Sequence, residues 1–293
     1  MPHIPVLLKE TLEFLNIKSH GTYLDCTLGG CGHAQAIAAK LTDQGHLIGT
    51  DYDPAAVTAA QTTLKNFPCQ KTLIRANFKN IAQQLPHQNS LDGLIADLGY
   101  SSIQLADPAY GLSWKLDTAA LDMRLSSDKN LHPAAQILNH CSEHQLIALF
   151  QNYGELRATK KFVKVLLDMR KKQKFQTMAQ LKAAVQQTFQ SIPGVRFEKM
   201  YNQVFQALRI EVNQELENLQ ALLTQIPSLL RTGGVAVILS FHSLEDRLVK
   251  QAFRSYEREQ FKILTPKPLM ASEEEQKTNS RSKSAKLRAI QKI

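Results

Sequence analysis

The run Tyr23-Leu-Asp-Cys-Thr-Leu-Gly-Gly-Cys-Gly-His33 constrains the fold of this chain more than any other stretch. An apolar segment stops at Asp25, a glycine-rich turn follows, and an alanine-rich helical pattern opens at Ala34. Glycines let backbone pass close to a nucleotide-like group, so the run predicts a strand, a tight turn and a helix N-terminus. Eighteen residues past His33, a second apolar run beginning at Gly45 ends at Asp51. A carboxylate about 20 residues beyond a glycine-rich turn is placed to accept hydrogen bonds from ribose hydroxyls. Thr72 to Phe78 and Leu91 to Gly99 read as third and fourth strands, bringing Phe78 and Asp97 to the same crevice. Strands alternating with helices predict a doubly wound parallel sheet with its ligand outside the carboxyl ends of the strands.

Around this series the helical signals are regular. Leu7, Leu8, Leu12 and Leu15 carry helical spacing within His3 to Leu15, and Asp53-Pro54 supplies an N-cap and an N1 proline for a helix through Val57, Ala60 and Leu64. From about Ala106 helical periods take over: Pro133 to Leu138, Glu143 to Phe150, Ala158 to Arg170 and Met178 to Phe189. The strand pattern returns at Gly233 to Phe241, preceded by a helix read as Phe205 to Leu223. Residues 108–205 are therefore expected to form a helical insertion in an α/β core made of 1–107 and 206–293. Phe261-Lys-Ile-Leu264 and Lys286 to Ile293 read as late strands, with Met270 to Lys283 as a loop between them.

Charge and cysteine usage narrow the function. The net charge of +9 favours a polyanionic partner. The basic run Arg157, Lys160, Lys161, Lys164, Arg170, Lys171, Lys172 and Lys174 in the insertion is suited to phosphate contact; a solvated helix face is the plainer reading. Cys26, Cys31, Cys69 and Cys141 lack zinc-ligand spacing, which predicts reduced thiols. No apolar stretch approaches the ~20 residues that span a bilayer, and the N-terminus shows no secretory pattern, so a cytoplasmic protein with no membrane role is expected.

The crevice excludes some cofactors. Gly29-Gly-Cys-Gly-His lacks the G-x-G-x-x-G spacing that seats a pyrophosphate, which disfavours a nicotinamide oxidoreductase. Acids at the first two strand ends also repel phosphates. S-adenosylmethionine, with an amino acid, a ribose and an adenine but no phosphate, fits better: Asp51 for the ribose diol, Phe78 beside the adenine, the glycine turn along the methionine part.

Further motifs carry a resemblance over nearly the whole chain. They are His3-x-Pro-Val-Leu-Leu-x-Glu10, Asp97-Leu-Gly-x-Ser-Ser-x-Gln104, Leu121-Asp-Met-Arg124, Phe205-Gln-Ala-Leu-Arg-Ile-x-Val-Asn-x-Glu-Leu216, Ser240-Phe-His-Ser-Leu-Glu-Asp-Arg247 and Ser284-Ala-Lys-Leu-Arg288. Together with the glycine turn they resemble the RsmH (MraW) family. The resemblance implies a class I methyltransferase (Rossmann-like) fold, α/β with a helical insertion. It implies S-adenosylmethionine as cofactor and, as reaction, methylation of a cytidine N4 amine in the decoding centre of 16S ribosomal RNA, within the small ribosomal subunit. It allows a homodimer. Carried over by position, its cofactor contacts fall on Cys31, Gly32, His33, Asp51, Phe78, Asp97 and Gln104. Cys31 stands where the family has glycine, Tyr110-Gly111 where it has Arg-Gly, and Lys199 to Val204 departs from the family's pattern before Phe205.

Cytosine N4 is a poor nucleophile because its lone pair is delocalised into the ring. An acid at the fourth strand end can accept the amine's hydrogen bond as that pair localises, which makes Asp97 the candidate catalytic residue. The sulfonium is already an electrophile, so no metal is expected. His242 reads first as a loop anchor through Glu245, Asp246 and Arg247, and Trp114 as a junction residue or a base-stacking platform. The remaining alternative is a non-catalytic RNA-binding assembly factor keeping a relic pocket.

Overall fold

The computed structural model describes residues 4–85, 87–126, 128, 130–257 and 260–293; His3, which opens the first resembled motif, lies outside them. The chain opens with α1 (Leu8–Leu15), β1 (Thr22–Asp25), α2 (Gly32–Ala38), β2 (His46–Asp51), α3 (Pro54–Thr63), β3 (Gln70–Arg75) and β4 (Leu91–Asp97). Helices α4 (Ser102–Ala106), α5 (Ala134–His140), α6 (Glu143–Asn152), α7 (Thr159–Lys172), α8 (Met178–Phe189) and α9 (Phe197–Asn213) follow. The remainder is α10 (Glu215–Leu229), β5 (Leu230–Ser240), α11 (Ser243–Tyr256), β6 (Phe261–Ile263), α12 (Glu273–Thr278) and β7 (Lys286–Lys292). Two compact units emerge, Met1–Ser101 with Leu216–Ile293, and Ser102–Glu215.

In the first unit seven strands form one sheet, ordered β3-β2-β1-β4-β5-β7-β6. The first five are parallel, and β7 is antiparallel to both β5 and β6. The chain winds outward from β1 through β2 to β3, then returns to lay β4 on the other side of β1. That reversal is the switch point at which open α/β sheets bind ligands, and β1 and β4 end there on Asp25 and Asp97. Strand alternation divides the core between the two sheet faces. Tyr23, Leu47, Ile95, Val237 and Leu287 share a cluster with Ala34, Ile37 and Ala60 of α2 and α3. Leu24, Ile48, Leu94, Ile238 and Ile290 share the other with Leu222 and Ile226 of α10 and Val249 of α11. Each fully buried Leu or Ile stabilises by roughly 1.5–3 kcal/mol relative to exposure.

The second unit is helical. Helices α6 to α9 bury Leu146, Phe150, Phe162, Leu166, Leu181, Val185, Val204 and Leu208, with the Phe150 and Phe162 rings packed edge to face at 5.0 Å. A capping box at Ser142 and Gln145 starts α6, satisfying backbone donors that the first turn leaves unpaired.

Several expectations shift in the structure. The third strand stops at Arg75; Asn77 then caps a 3₁₀ turn, Phe78–Gln83, by accepting from the Lys79 amide, so Phe78 begins a helical turn instead of ending a strand. The helix read as Phe205 to Leu223 is two, because Gln214 turns left-handed (φ 52°) between α9 and α10. A cut at 205/206 would run through α9, and the compact second unit closes at Glu215. Met270 to Lys283 is not a plain loop, since Ser272 caps α12 there. The first helix starts at Leu8, with Leu7 left-handed at φ 51°.

Candidate active site

Backbone geometry at the ends of β1, β2 and β4 assembles the site. Asp51 holds the glycine turn: Oδ2 accepts from the Gly29 amide at 2.8 Å and Oδ1 from the Asp53 amide at 2.9 Å. Burial pushes its carboxyl above the usual range, partly offset by those amides. Asp53 in turn accepts from the Ala55 amide at 2.9 Å and caps α3, as its Asp-Pro pattern predicts.

Asp25 is buried at 1% exposure. Its Oδ1 accepts from the Thr27 amide at 3.0 Å, while Oδ2 has no hydrogen-bond partner among the described residues. Burial, reinforced by Asp97 and Asp51 nearby, pushes this carboxyl up to about 8, so it carries a proton at neutral pH. Thr27 links the first and fourth strand ends, its hydroxyl accepting from the Asp97 amide at 2.8 Å.

Cys31, Gly32 and His33 form the turn into α2. Cys31 sits in the left-handed region at φ 65°, ψ 12°, the conformation its glycine-like position demands and a side chain resists. Burial pushes its thiol up to about 12, so it stays neutral and unreactive. Gly32 is required by contact, since a Cβ there would lie 2.9 Å from Cγ of Pro5.

His33 turns inward. One ring nitrogen, Nε2, lies 3.1 Å from the Val6 carbonyl, and the other, Nδ1, lies 3.6 Å from Asp97 Oδ2. Burial lowers the ring's proton affinity to about 4, so it is neutral. A carbonyl only accepts, so the single ring proton is on Nε2 and the Nδ1 lone pair faces Asp97.

The remaining candidates are placed as follows. Phe78 is half-buried and packs against the cluster containing Leu222 and Ile226. Gln104 is buried in α4, a helix of the second unit. His242 caps α11: Nδ1 accepts from the Glu245 amide at 3.4 Å, and the Glu245 carboxylate accepts from the Phe241 amide at 2.8 Å. That is the anchoring role expected of it. In the second unit, Asn213 clasps the Leu121–Arg124 motif, donating to the Met123 carbonyl and accepting from the Leu125 amide, each at 2.9 Å. Arg209 pairs with Glu215 at 2.8 Å. Trp114 donates to Asn202 at 2.8 Å and packs on the Tyr201 ring at 5.1 Å.

Three participants have no signature of their own in the chain. Thr27 is found only through the strand pairing, and the Val6 carbonyl only through the fold of the N-terminal turn. Arg281 donates to the Tyr100 carbonyl and places its guanidinium 6.0 Å from the Phe241 ring centroid, holding the loop after Asp97 from 181 residues away.

Known proteins similar to this chain include family members and solved structures. The profile of the MraW methylase family matches residues 1–293. Ribosomal RNA small subunit methyltransferase H 2 of Agathobacter rectalis is 39% identical, over 99% of this chain and 98% of its own. Ribosomal RNA small subunit methyltransferase H of Azobacteroides pseudotrichonymphae is 41% identical, over 99% and 97%. Among solved structures, an rRNA methylase from Streptococcus thermophilus aligns over 99% of this chain and 98% of its own at 13% identity, with a TM-score of 0.45.

Proposed function

This chain belongs to the MraW methylase family, and from that premise we propose that it methylates the N4 amine of a cytidine in the decoding centre of 16S ribosomal RNA. It is an S-adenosylmethionine-dependent methyltransferase with small-subunit ribosomal RNA as its substrate. The methyl donor supplies an electrophilic sulfonium, so the reading requires no metal.

One observation of this chain supports the cofactor most directly: the buried Asp25 Oδ2, which has no donor among the described residues, at the switch point of the sheet. A buried carboxyl oxygen of this kind suits the α-ammonium of an amino-acid moiety, which would draw off the Asp25 proton. Asp51, already fixing the glycine turn, retains lone pairs for a ribose diol. Backbone of Cys31, Gly32 and His33 lines the methionine part and Phe78 the adenine. Asp97 is assigned to the amine, at the end of the strand beside β1.

The second unit is assigned to RNA recognition. Lys160, Lys161, Lys164, Lys171 and Lys172 lie on α7, whose other side buries Phe162, Val163 and Leu166. Such a stripe suits a phosphate backbone. Among the described residues no helix is long and apolar enough to cross a membrane. A cytoplasmic location, an assembled small subunit as substrate and a homodimer belong to the same proposal. No observation favours a relic pocket.

Labelled S-adenosylmethionine and small subunits from cells lacking this protein provide the test. Label in N4-methylated cytidine is the expected result; cofactor binding without transfer would mean another acceptor.

A further inference from the structure

We propose that His33 is a positioning residue for Asp97, its Nδ1 lone pair making Asp97 the group that takes the amine proton. The inference rests on the assignment of Asp97 to the acceptor amine.

The geometry begins behind the histidine. The Val6 carbonyl that fixes the ring is itself held: the Leu7 amide donates to Glu275 at 2.9 Å, and Asn279 donates to the Ile4 carbonyl at 3.1 Å. Pro5 packs on Gly32, the residue before His33. A ring anchored through Nε2 to an immobile carbonyl cannot turn its proton toward Asp97. Nδ1 and Asp97 Oδ2, 3.6 Å apart, are therefore two acceptors facing each other. That contact is unfavourable while Asp97 is ionised, and once Asp97 carries a proton it becomes a hydrogen bond on shortening from 3.6 Å to about 3 Å. Burial keeps the ring from resolving the conflict by protonating itself.

The consequence falls on the chemical step. The N4 lone pair forms the new N–CH3 bond as the sulfonium's C–S bond breaks, leaving its electron pair on sulfur. The nitrogen then holds a positive charge and two protons, and one passes to Asp97 Oδ2. The new carboxyl O–H donates to His33 Nδ1. The proton leaves to water from Asp97, whose side chain is 16% exposed against 5% for His33. An N4-protonated cytosine is a strong acid, so a weak, well-placed base suffices.

Other groups act on Asp97 too. Asp25 on β1 and Asp97 disfavour each other's charge, and Asp25 is the one that keeps its proton; the Thr27 hydroxyl binds the Asp97 amide. The Cys31 thiol is neutral, and Arg281 donates to the Tyr100 carbonyl and lies over the Phe241 ring. Each of these is common to wild type and variants, so changes at His33 read out its own contribution.

The test uses the full-length protein and two substitutions that separate the ring's two nitrogens. His33→Gln places an amide donor near the Val6 carbonyl and removes the Nδ1 acceptor; His33→Asn loses the anchor and, free to turn its amide, offers Asp97 a donor in place of the Nδ1 acceptor. Two readouts are taken: Asp97 titration in the free protein by 13C-carboxyl NMR, assigned with Asp97→Asn, and kcat for methyl transfer to unmethylated small subunits. S-adenosylhomocysteine affinity by calorimetry checks the pocket. The expectation for His33→Gln is near-normal affinity, an Asp97 midpoint lowered by about one pH unit, and kcat reduced at least about tenfold. His33→Asn should lower the Asp97 midpoint and kcat at least as far as His33→Gln. An unchanged Asp97 midpoint in His33→Gln overturns the inference, as does His33→Gln at wild-type kcat with His33→Asn impaired, which would leave anchoring as the ring's only role. If the midpoint shifts on substitution but the wild-type protein transfers no methyl to the subunits, the acceptor reading falls and the His33–Asp97 pairing stands.

Discussion

The Gly29 amide donates to Asp51 Oδ2 at 2.8 Å, so the carboxylate assigned to the ribose is also the clasp of the turn that passes the methionine part. On that assignment, cofactor binding and loop order are linked through one side chain. Asp51→Ala should weaken S-adenosylhomocysteine binding by at least about 100-fold, since it removes ribose acceptors and frees the part-buried Gly29 amide together. Asp51→Asn, which can keep one acceptor, should be less impaired. Calorimetric titration of both variants decides this; equal effects would show that the clasp contributes nothing.

Cys31 inverts the ordinary order of glycine and alanine. At φ 65° a Cβ costs about 1–2 kcal/mol, more than the added chain entropy of glycine. Cys31→Gly should therefore be more stable than Cys31→Ala by about 1 kcal/mol in denaturant unfolding. The wild-type thiol, held up to about 12, should resist alkylation at neutral pH.

Asp25 should write a pH dependence into both stability and binding. Its folded value of about 8 lies above the ordinary 3.8, so across that window the folded chain keeps a proton that the unfolded chain releases. Stability of the unliganded protein consequently falls as pH rises from about 4 to about 8. Asp25→Asn should flatten that slope while weakening cofactor binding. In the wild type, binding a cation against Asp25 at pH 7 should release about one proton, read as a dependence of binding enthalpy on buffer ionisation.

Asn213→Ala should destabilise the helical unit by about 1–3 kcal/mol, because the Met123 carbonyl and Leu125 amide would be left without this partner in a buried setting. Thermal unfolding gives the cost. Cofactor affinity, which belongs to the other unit, should be unchanged.

The α7 lysines should act through charge alone. Replacing Lys160, Lys164 and Lys171 with Gln should weaken RNA binding and reduce the slope of log affinity against log salt by roughly 0.7–0.9 for every phosphate that is no longer neutralised. Arg170 is a poor control for this effect because it donates to the Leu138 and Cys141 carbonyls and is structural.

The residue order alone was enough for the doubly wound core, the acids at its strand ends and the helical character of the middle of the chain. Those are properties of short windows: an apolar run that stops at Asp25, Asp51 or Asp97, a glycine turn, and a 3.6-residue period. The Asp53-Pro54 cap was legible for the same reason. The strand pattern runs on to Phe78 although an Asx cap at Asn77 ends β3 early, and the left-handed Gln214 leaves no local mark because nothing there requires glycine. Only the tertiary structure made His33 face Asp97. That contact depends on Val6, Glu275 and Asn279 closing from the two ends of the chain, and on the sheet order that sets β4 beside β1. It likewise decided that Asp25 holds its proton, since a carboxyl's ionisation depends on how deeply the fold buries it and on which charges the fold brings near.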